Sequence, residues 1–306
     1  MGTRTLTLIE AFLSSPEAPM LRSRLAPTAA RAASRVLTRT SPVAPVTAAS
    51  FAYQALGPVA GEPQRRVQYD SHMPTTPLQK IVLSVTSALT VFTNPERGDM
   101  LAALGEVTGR DALRRIHARM CADPVGARIL AEKPVIRNDK IDMEHLRALP
   151  AGSFGHHYAA FMDSHGFDAD GRSLVRFVDD PELAYVMQRH RELHDFWHTL
   201  FGVPPTVLGE IALKYVEMAH SQLPVSALSA FVGPLRLSSE DRCLLMKVYV
   251  PWASRASKKA HSLHCVMYEE EFETPIEELR QRLNIEVAPP LPDSSEHYKR
   301  HKDDKH

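Results

Sequence analysis

Cysteine is scarce in this chain: Cys121, Cys243 and Cys265 are the only three in 306 residues, odd in number and scattered. That excludes a disulfide scaffold and a cysteine metal cluster, and it fits a reducing compartment. An excess of one charge is also missing, since 36 basic residues balance 36 acidic ones, which leaves no electrostatic footprint for nucleic acid. Polar residues interrupt every apolar segment before it reaches the ~20 residues needed to cross a bilayer. Strand signals are weak, with no two-residue hairpin turn evident, and Val and Ile fall at helical spacing. There is no G-x-x-x-x-G-K-[ST], no strand-coupled G-x-G-x-x-G and no G-x-S-x-G, so nucleotide-cofactor folds are unsupported. Nothing points to a bound flavin or haem. With 44% hydrophobic and 24% charged residues, what remains is a globular chain able to bury a core. The expected fold is all-α, a multi-helix bundle.

What the chain does have is the stretch His194 to Glu210, H-D-F-W-H-T-L-F-G-V-P-P-T-V-L-G-E. His194 and His198 are four residues apart, so on a helix both imidazoles leave one face, one turn apart. Asp195 sits beside them. Gly202, Pro204 and Pro205 end that helix, because glycine suits the cap and proline cannot continue the ladder. Thr206 is the N-cap expected for a second helix, which carries Glu210 in its first turn. An antiparallel return would bring Glu210 back to the histidines, placing a metal site on a central helical hairpin. Two imidazoles and up to two carboxylates suit a divalent cation, with Zn2+ the first choice by ligand type. A solvated or core histidine pair is the plainer alternative. HDxxH also resembles the H-E-x-x-H of zinc proteases, with an acid one methylene shorter, and the pattern of His-Asp phosphohydrolases.

Other segments surround this motif: SHMPTTPLQK at 71–80, GEVTG at 105–109, GSFGHHYAAFM at 152–162 and RFVDDPELAYVMQRHRELHD at 176–195. Together with His-Asp-x-x-His followed by Glu twelve residues on, they resemble the coenzyme Q (ubiquinone) biosynthesis protein 4 family over roughly residues 70–285. The resemblance implies zinc-dependent removal of the C1 carboxyl group from a polyprenylated 4-hydroxybenzoate, with or without coupled hydroxylation, and hence a decarboxylase, a carbon-carbon lyase. Its metal positions fall on His194, Asp195, His198 and Glu210 here. Whether Asp195 touches the metal or steers a histidine from behind is left open. The resemblance also implies peripheral contact with the matrix side of the mitochondrial inner membrane. There the family organises the ubiquinone enzymes, including a lipid-binding member of atypical-kinase type, and homo-oligomerisation is compatible with that role. A non-catalytic lipid-binding scaffold is the alternative function.

Four regions are expected. Residues 1–50 carry Arg4, Arg22, Arg24, Arg31, Arg35 and Arg39 against Glu10 and Glu17, the composition of a mitochondrial transit peptide. Residues 51–73 read as a linker, 74–285 as a helical metal- and lipid-binding domain, and 286–306 as a disordered polar tail. Within the domain, LQKIVLSVTSALTVF is apolar on most faces, as for a buried core helix or the wall of a lipid cavity. Pro95 opens one long helical run to Met120, and helices are expected over 152–166 and 181–200. The loop with Asp168, Asp170 and Gly171 lacks the acidic ladder of a calcium site. Arg255, Lys258 and Lys259 near Trp252 form either a solvated face or a contact for anionic lipid headgroups. His156 and His157 are candidates for a supporting role behind the metal.

Overall fold

Proline and short polar residues set where the helices begin. In the computed structural model, which describes residues 66–94 and 97–290, Thr76 caps α1 (Pro77–Thr93) through a reciprocal capping box with Gln79, and Pro77 takes the first helical position. Next come α2 (Gly98–Thr108), α3 (Arg110–Ala122) and α4 (Pro124–Glu132), the last capped by Asp123. The long run expected from Pro95 breaks at Gly109. A Cβ there would lie 2.4 Å from the Gly105 carbonyl oxygen, so the tight join between α2 and α3 requires glycine. Two shorter helices follow, α5 (Met143–Ala148) and α6 (Phe154–His165).

Asp180 caps the central helix α7 (Pro181–Phe201), which Gly202 ends at φ 65°. Beyond it lie α8 (Val207–Ser221), α9 (Pro224–Val232), α10 (Ser239–Leu244), α11 (Val250–Lys259) and α12 (Ile276–Arg282). Thr206 caps α8 as expected, its side chain accepting from the Gly209 amide. The described residues form no strand, and the all-α expectation holds. All of them belong to one compact unit, Ala60–His306, and the expected transit peptide lies outside them.

α7 organises the unit because it belongs to both cores. Leu193, Phe196, Trp197, Leu200 and Phe201 enter the larger core with α6, α8 and α11, while Leu183, Val186 and Met187 enter the smaller one with α3 and α4. A buried guanidinium, Arg189, ties α7 to Glu269 and to the Val266 carbonyl. Two of the quoted segments meet at Glu106, whose carboxylate accepts from the amides of Arg176 and Phe177 at 2.8 and 2.7 Å.

Four expectations change. The apolar helix α1 is not core: only Leu83 and Ser87 are buried, and its apolar stripe faces outward. The linker expected over 51–73 is packed at its end, where the Tyr69 hydroxyl donates to the Val178 carbonyl and Ser71 to that of Val175. The tail expected from 286 is bound to the core at its start: Trp252 donates to the Glu286 carbonyl, and the Ala288 amide to that of Phe201. Trp252 is itself fully buried, and Arg255 and Lys259 pair with Glu286. The headgroup contact expected there loses its aromatic anchor, and two of its three cations share the Glu286 carboxylate.

Candidate metal centre

α7 and α8 meet through long side chains in antiparallel order. His190, His194 and His198 follow one another at four-residue spacing along α7, and Glu210, Lys214 and Glu217 line the facing side of α8. The turn between the helices depends on Gly209, where a Cβ would sit 2.0 Å from the Pro204 carbonyl oxygen.

Each histidine of the motif is fixed through its Nδ1. His198 Nδ1 lies 2.8 Å from the Val203 carbonyl oxygen, and His194 Nδ1 lies 2.6 Å from Glu217 Oε1. A carbonyl and a carboxylate can only accept, so in the neutral form of each ring the proton sits on Nδ1 and Nε2 keeps a lone pair. Those Nε2 atoms are 3.1 Å apart. Glu210 completes the group, with Oε1 3.1 Å from His198 Nε2 and Oε2 3.3 Å from His194 Nε2. Donor atoms of these three residues all lie within 4.8 Å of one another. Phe161 from α6 stacks on the His198 ring, which is 1% exposed.

Three converging lone-pair donors repel one another unless a proton or a cation lies among them. Tetrahedral zinc with bonds of ~2.0–2.1 Å sets its ligands roughly 3.3 Å apart, close to the spacing of this donor set, so the residues fit such an ion. Among the protein groups alone the field falls on His194. Burial and Lys214 lower its pKa, but Glu210 and Glu217 outweigh them and raise it to about 9. Burial opposes ionisation of Glu217 and Glu210, yet Lys214 with His194, and His198 with His194, hold the two carboxyls well below the ordinary range.

Asp195 is not part of this convergence. It accepts from Arg172 Nη2 at 2.5 Å and from Nε at 3.2 Å, and Arg172 also donates to the carbonyls of Ile136 and Ala169. His156 and His157 make no hydrogen bond to the three donors among the described residues, and His157 lies near Arg280 and Glu277.

Sequence reasoning missed Glu217, which is 1% exposed and also accepts from Lys214 Nζ at 2.8 Å and from the Ser226 hydroxyl at 3.2 Å. Its signal was available: it stands two turns after Glu210 on the same helical face. Beside His194 a cavity of about 390 Å³ opens between α2, α7 and α9. Arg172, Arg191 and Lys214, paired with Asp195, Glu106 and Glu217, line it together with the apolar Leu101, Met187, Leu223 and Val225.

Residues 69–289 match the family described as coenzyme Q (ubiquinone) biosynthesis protein Coq4. The chain belongs to this family. It is 45% identical to the mitochondrial ubiquinone biosynthesis protein COQ4 homolog of Bos taurus, over 77% of this chain and 91% of that one. The Homo sapiens homolog is 43% identical over 73% of this chain and 84% of its own. The Schizosaccharomyces japonicus protein is 42% identical over 74% and 95% respectively. The crystal structure of a candidate ubiquinone biosynthesis protein from Nostoc punctiforme shares the fold, with a TM-score of 0.55 at 18% identity, over 68% of this chain and 98% of that one. The chain therefore has the family's role in ubiquinone biosynthesis, and its relatives carry mitochondrial names.

Proposed function

We propose that the chain removes the C1 carboxyl group of a polyprenylated 4-hydroxybenzoate, with or without hydroxylation at that carbon, using zinc held by His194, His198 and Glu210. Asp195, paired here with Arg172, stands as the fourth candidate ligand. The observation that carries this reading is the convergence of three donor atoms whose partners on the far side of each imidazole are already fixed. Zinc, when bound, supplies a Lewis-acidic charge and an ionisable water, and it performs no redox step of its own.

The residues of the chain supply the rest. Glu217 and the Val203 carbonyl hold both imidazoles with Nε2 turned towards Glu210, so no reorganisation is needed when charge arrives there. The lining combines the donor groups of Arg172, Arg191 and Lys214, which suit an anionic aromatic head, with apolar side chains that suit the first isoprenoid units. In the substrate, the phenol oxygen supplies electron density to C1, C1 takes up a proton, and the C1–carboxyl bond then breaks, returning its electron pair to the ring and releasing carbon dioxide. Binding directed only at the carboxylate would stabilise the starting state, so the cations serve best by orienting the head.

Within the same proposal, the protein works at the matrix face of the mitochondrial inner membrane. It helps organise the other enzymes of the pathway, including a lipid-binding member of atypical-kinase type. The test supplies zinc-loaded protein with prenylated substrate labelled at the carboxyl carbon. Labelled carbon dioxide from the wild type and none from His198→Ala supports catalysis. Retention of label by the wild type, with the enzyme assembly intact in both, would leave the scaffold reading in its place.

A further inference from the structure

The outward face of α1 reverses the usual order of a surface helix. Over residues 78–92 every exposed position is apolar: Leu78, Ile81, Val85, Leu89 and Phe92, each 54–66% exposed. At 100° per residue they form a stripe about 80° wide, running along roughly 25 Å of helix. The polar residues are turned to the flanks. Lys80 is the single charge between Pro77 and Thr93, and it pairs with Asp179 at 2.5 Å. The hydroxyls of Ser84, Thr86, Thr90 and Thr93 each donate to the carbonyl one turn back, at 2.7, 2.9, 2.8 and 3.0 Å. Ser87, the remaining hydroxyl, is buried against the protein. The exposed face therefore offers no charge, and the hydroxyls on its flanks have spent their donors on the helix itself.

These features select among possible occupants. A stripe of this length and about 10 Å wide offers roughly 250 Å², well short of the ~800 Å² per partner that a stable dimer buries. A coiled-coil seam is commonly flanked by charged positions that set register, and α1 has none. A soluble partner needs a rim that can donate hydrogen bonds, and the flanking hydroxyls have spent their donors on the helix. Hydrocarbon needs neither. At 17 residues α1 is too short to span a bilayer, and no described helix is long and apolar enough to cross one.

We propose that α1 lies in the interfacial plane of a lipid bilayer, with Leu78, Ile81, Val85, Leu89 and Phe92 among the acyl chains. α1 packs on α2, and α2 in turn contributes Leu101, Ala102 and Gly105 to the cavity beside His194. The cavity then stands one helix away from the lipid in which a prenylated molecule dissolves. This inference deepens the membrane part of the proposed reading and does not require that the chain be catalytic.

The test uses the full chain and phosphatidylcholine vesicles at about 0.5 M salt, where attraction between surface charges is screened. Wild-type protein should float with the vesicles. Ile81→Ser combined with Leu89→Ser should lower that partition about tenfold or more, with unchanged far-ultraviolet dichroism because both sites are exposed. A conservative reporter, Phe92→Trp, covers the case in which the double variant misfolds. The native Trp197 and Trp252 are fully buried, so new emission quenched by brominated phosphatidylcholine would come from position 92. Unchanged flotation of the double variant, or no quenching of the reporter, overturns the proposal. Conversion of a dimer into a monomer with flotation unchanged also overturns it and assigns the face to a second copy. Carbon dioxide release from detergent-dispersed substrate is read separately, so vesicle binding and the catalytic reading fail independently.

Discussion

Glu217, at 1% exposure, accepts a 2.6 Å hydrogen bond from His194 Nδ1 and so decides which nitrogen of that ring faces Glu210. The carboxylate belongs to the centre without being among its three converging donors. Glu217→Gln keeps the shape and removes the charge, and it should weaken zinc binding about 10–100-fold. Competition against a chromophoric chelator measures this. Glu217→Ala also leaves His194 and Lys214 without their acceptor, and should cost about 3 kcal/mol in denaturant unfolding. A Gln variant that binds zinc like the wild type would remove Glu217 from the centre.

Stability should respond to pH on two sides of neutrality. His194, raised to about 9, holds a proton in the fold that the unfolded chain releases near 6.5, so its contribution is complete below 6.5 and is lost as pH rises through 9. His190 behaves in the opposite way: burial, only partly offset by Glu217, lowers it to about 4, so unfolding takes up a proton and stability falls as pH drops from 6.5 towards 4. In chelator the melting temperature should therefore peak near pH 6.5. His194→Gln should flatten the alkaline limb, and added zinc should abolish it, because a ligating imidazole carries no proton on Nε2. An alkaline limb untouched by zinc would count against a site at His194.

Much of this was legible in the sequence because it is local. Pro181, Gly202 and Thr206 mark the ends of α7 and α8, and the four-residue spacing of His194 and His198 puts both rings on one face. Partners brought in by tertiary packing were not legible. Arg172 lies in a loop 23 residues before Asp195, and no periodicity predicts that it would capture that carboxylate. α1 was misread for a different reason. Its composition is that of a core helix, and apolar residues on most faces cannot say which face the protein covers.

The ion pair between Asp195 and Arg172 can be tested directly. The side chains are 16% and 12% exposed, so removing one partner strands a partly buried charge. Asp195→Asn should cost roughly 1–3 kcal/mol in unfolding. If Asp195 also ligates, X-ray absorption of the zinc-loaded variant should show one oxygen or nitrogen neighbour fewer than wild type. An unchanged shell with lowered stability assigns Asp195 to Arg172 alone.

Cavity width should limit the substrate. Ala102 lines the crevice between α2 and α9, and at Gly105 a Cβ would already approach Val225 to 3.1 Å, so there is no slack to absorb a larger side chain. Ala102→Phe should raise KM for prenylated substrate roughly tenfold while leaving zinc content at the wild-type level. Loss of zinc together with the KM effect would point to general disruption instead.

Trp252 offers a test of which surface meets the lipid. Its ring is fully buried, its Nε1 donates to the Glu286 carbonyl at 2.9 Å, and Phe201 meets it edge-on at 5.8 Å. Trp252→Ala should therefore cost about 3–5 kcal/mol in denaturant unfolding. The neighbouring Lys259→Ala should barely change the melting temperature, since Lys259 pairs with Glu286 at the surface with 61% of its side chain exposed. An interfacial anchor would behave in reverse: alanine at 252 would weaken vesicle flotation and spare the fold. Measuring both quantities on the one variant separates the roles, because a residue already enclosed by protein has no surface left to give to a membrane.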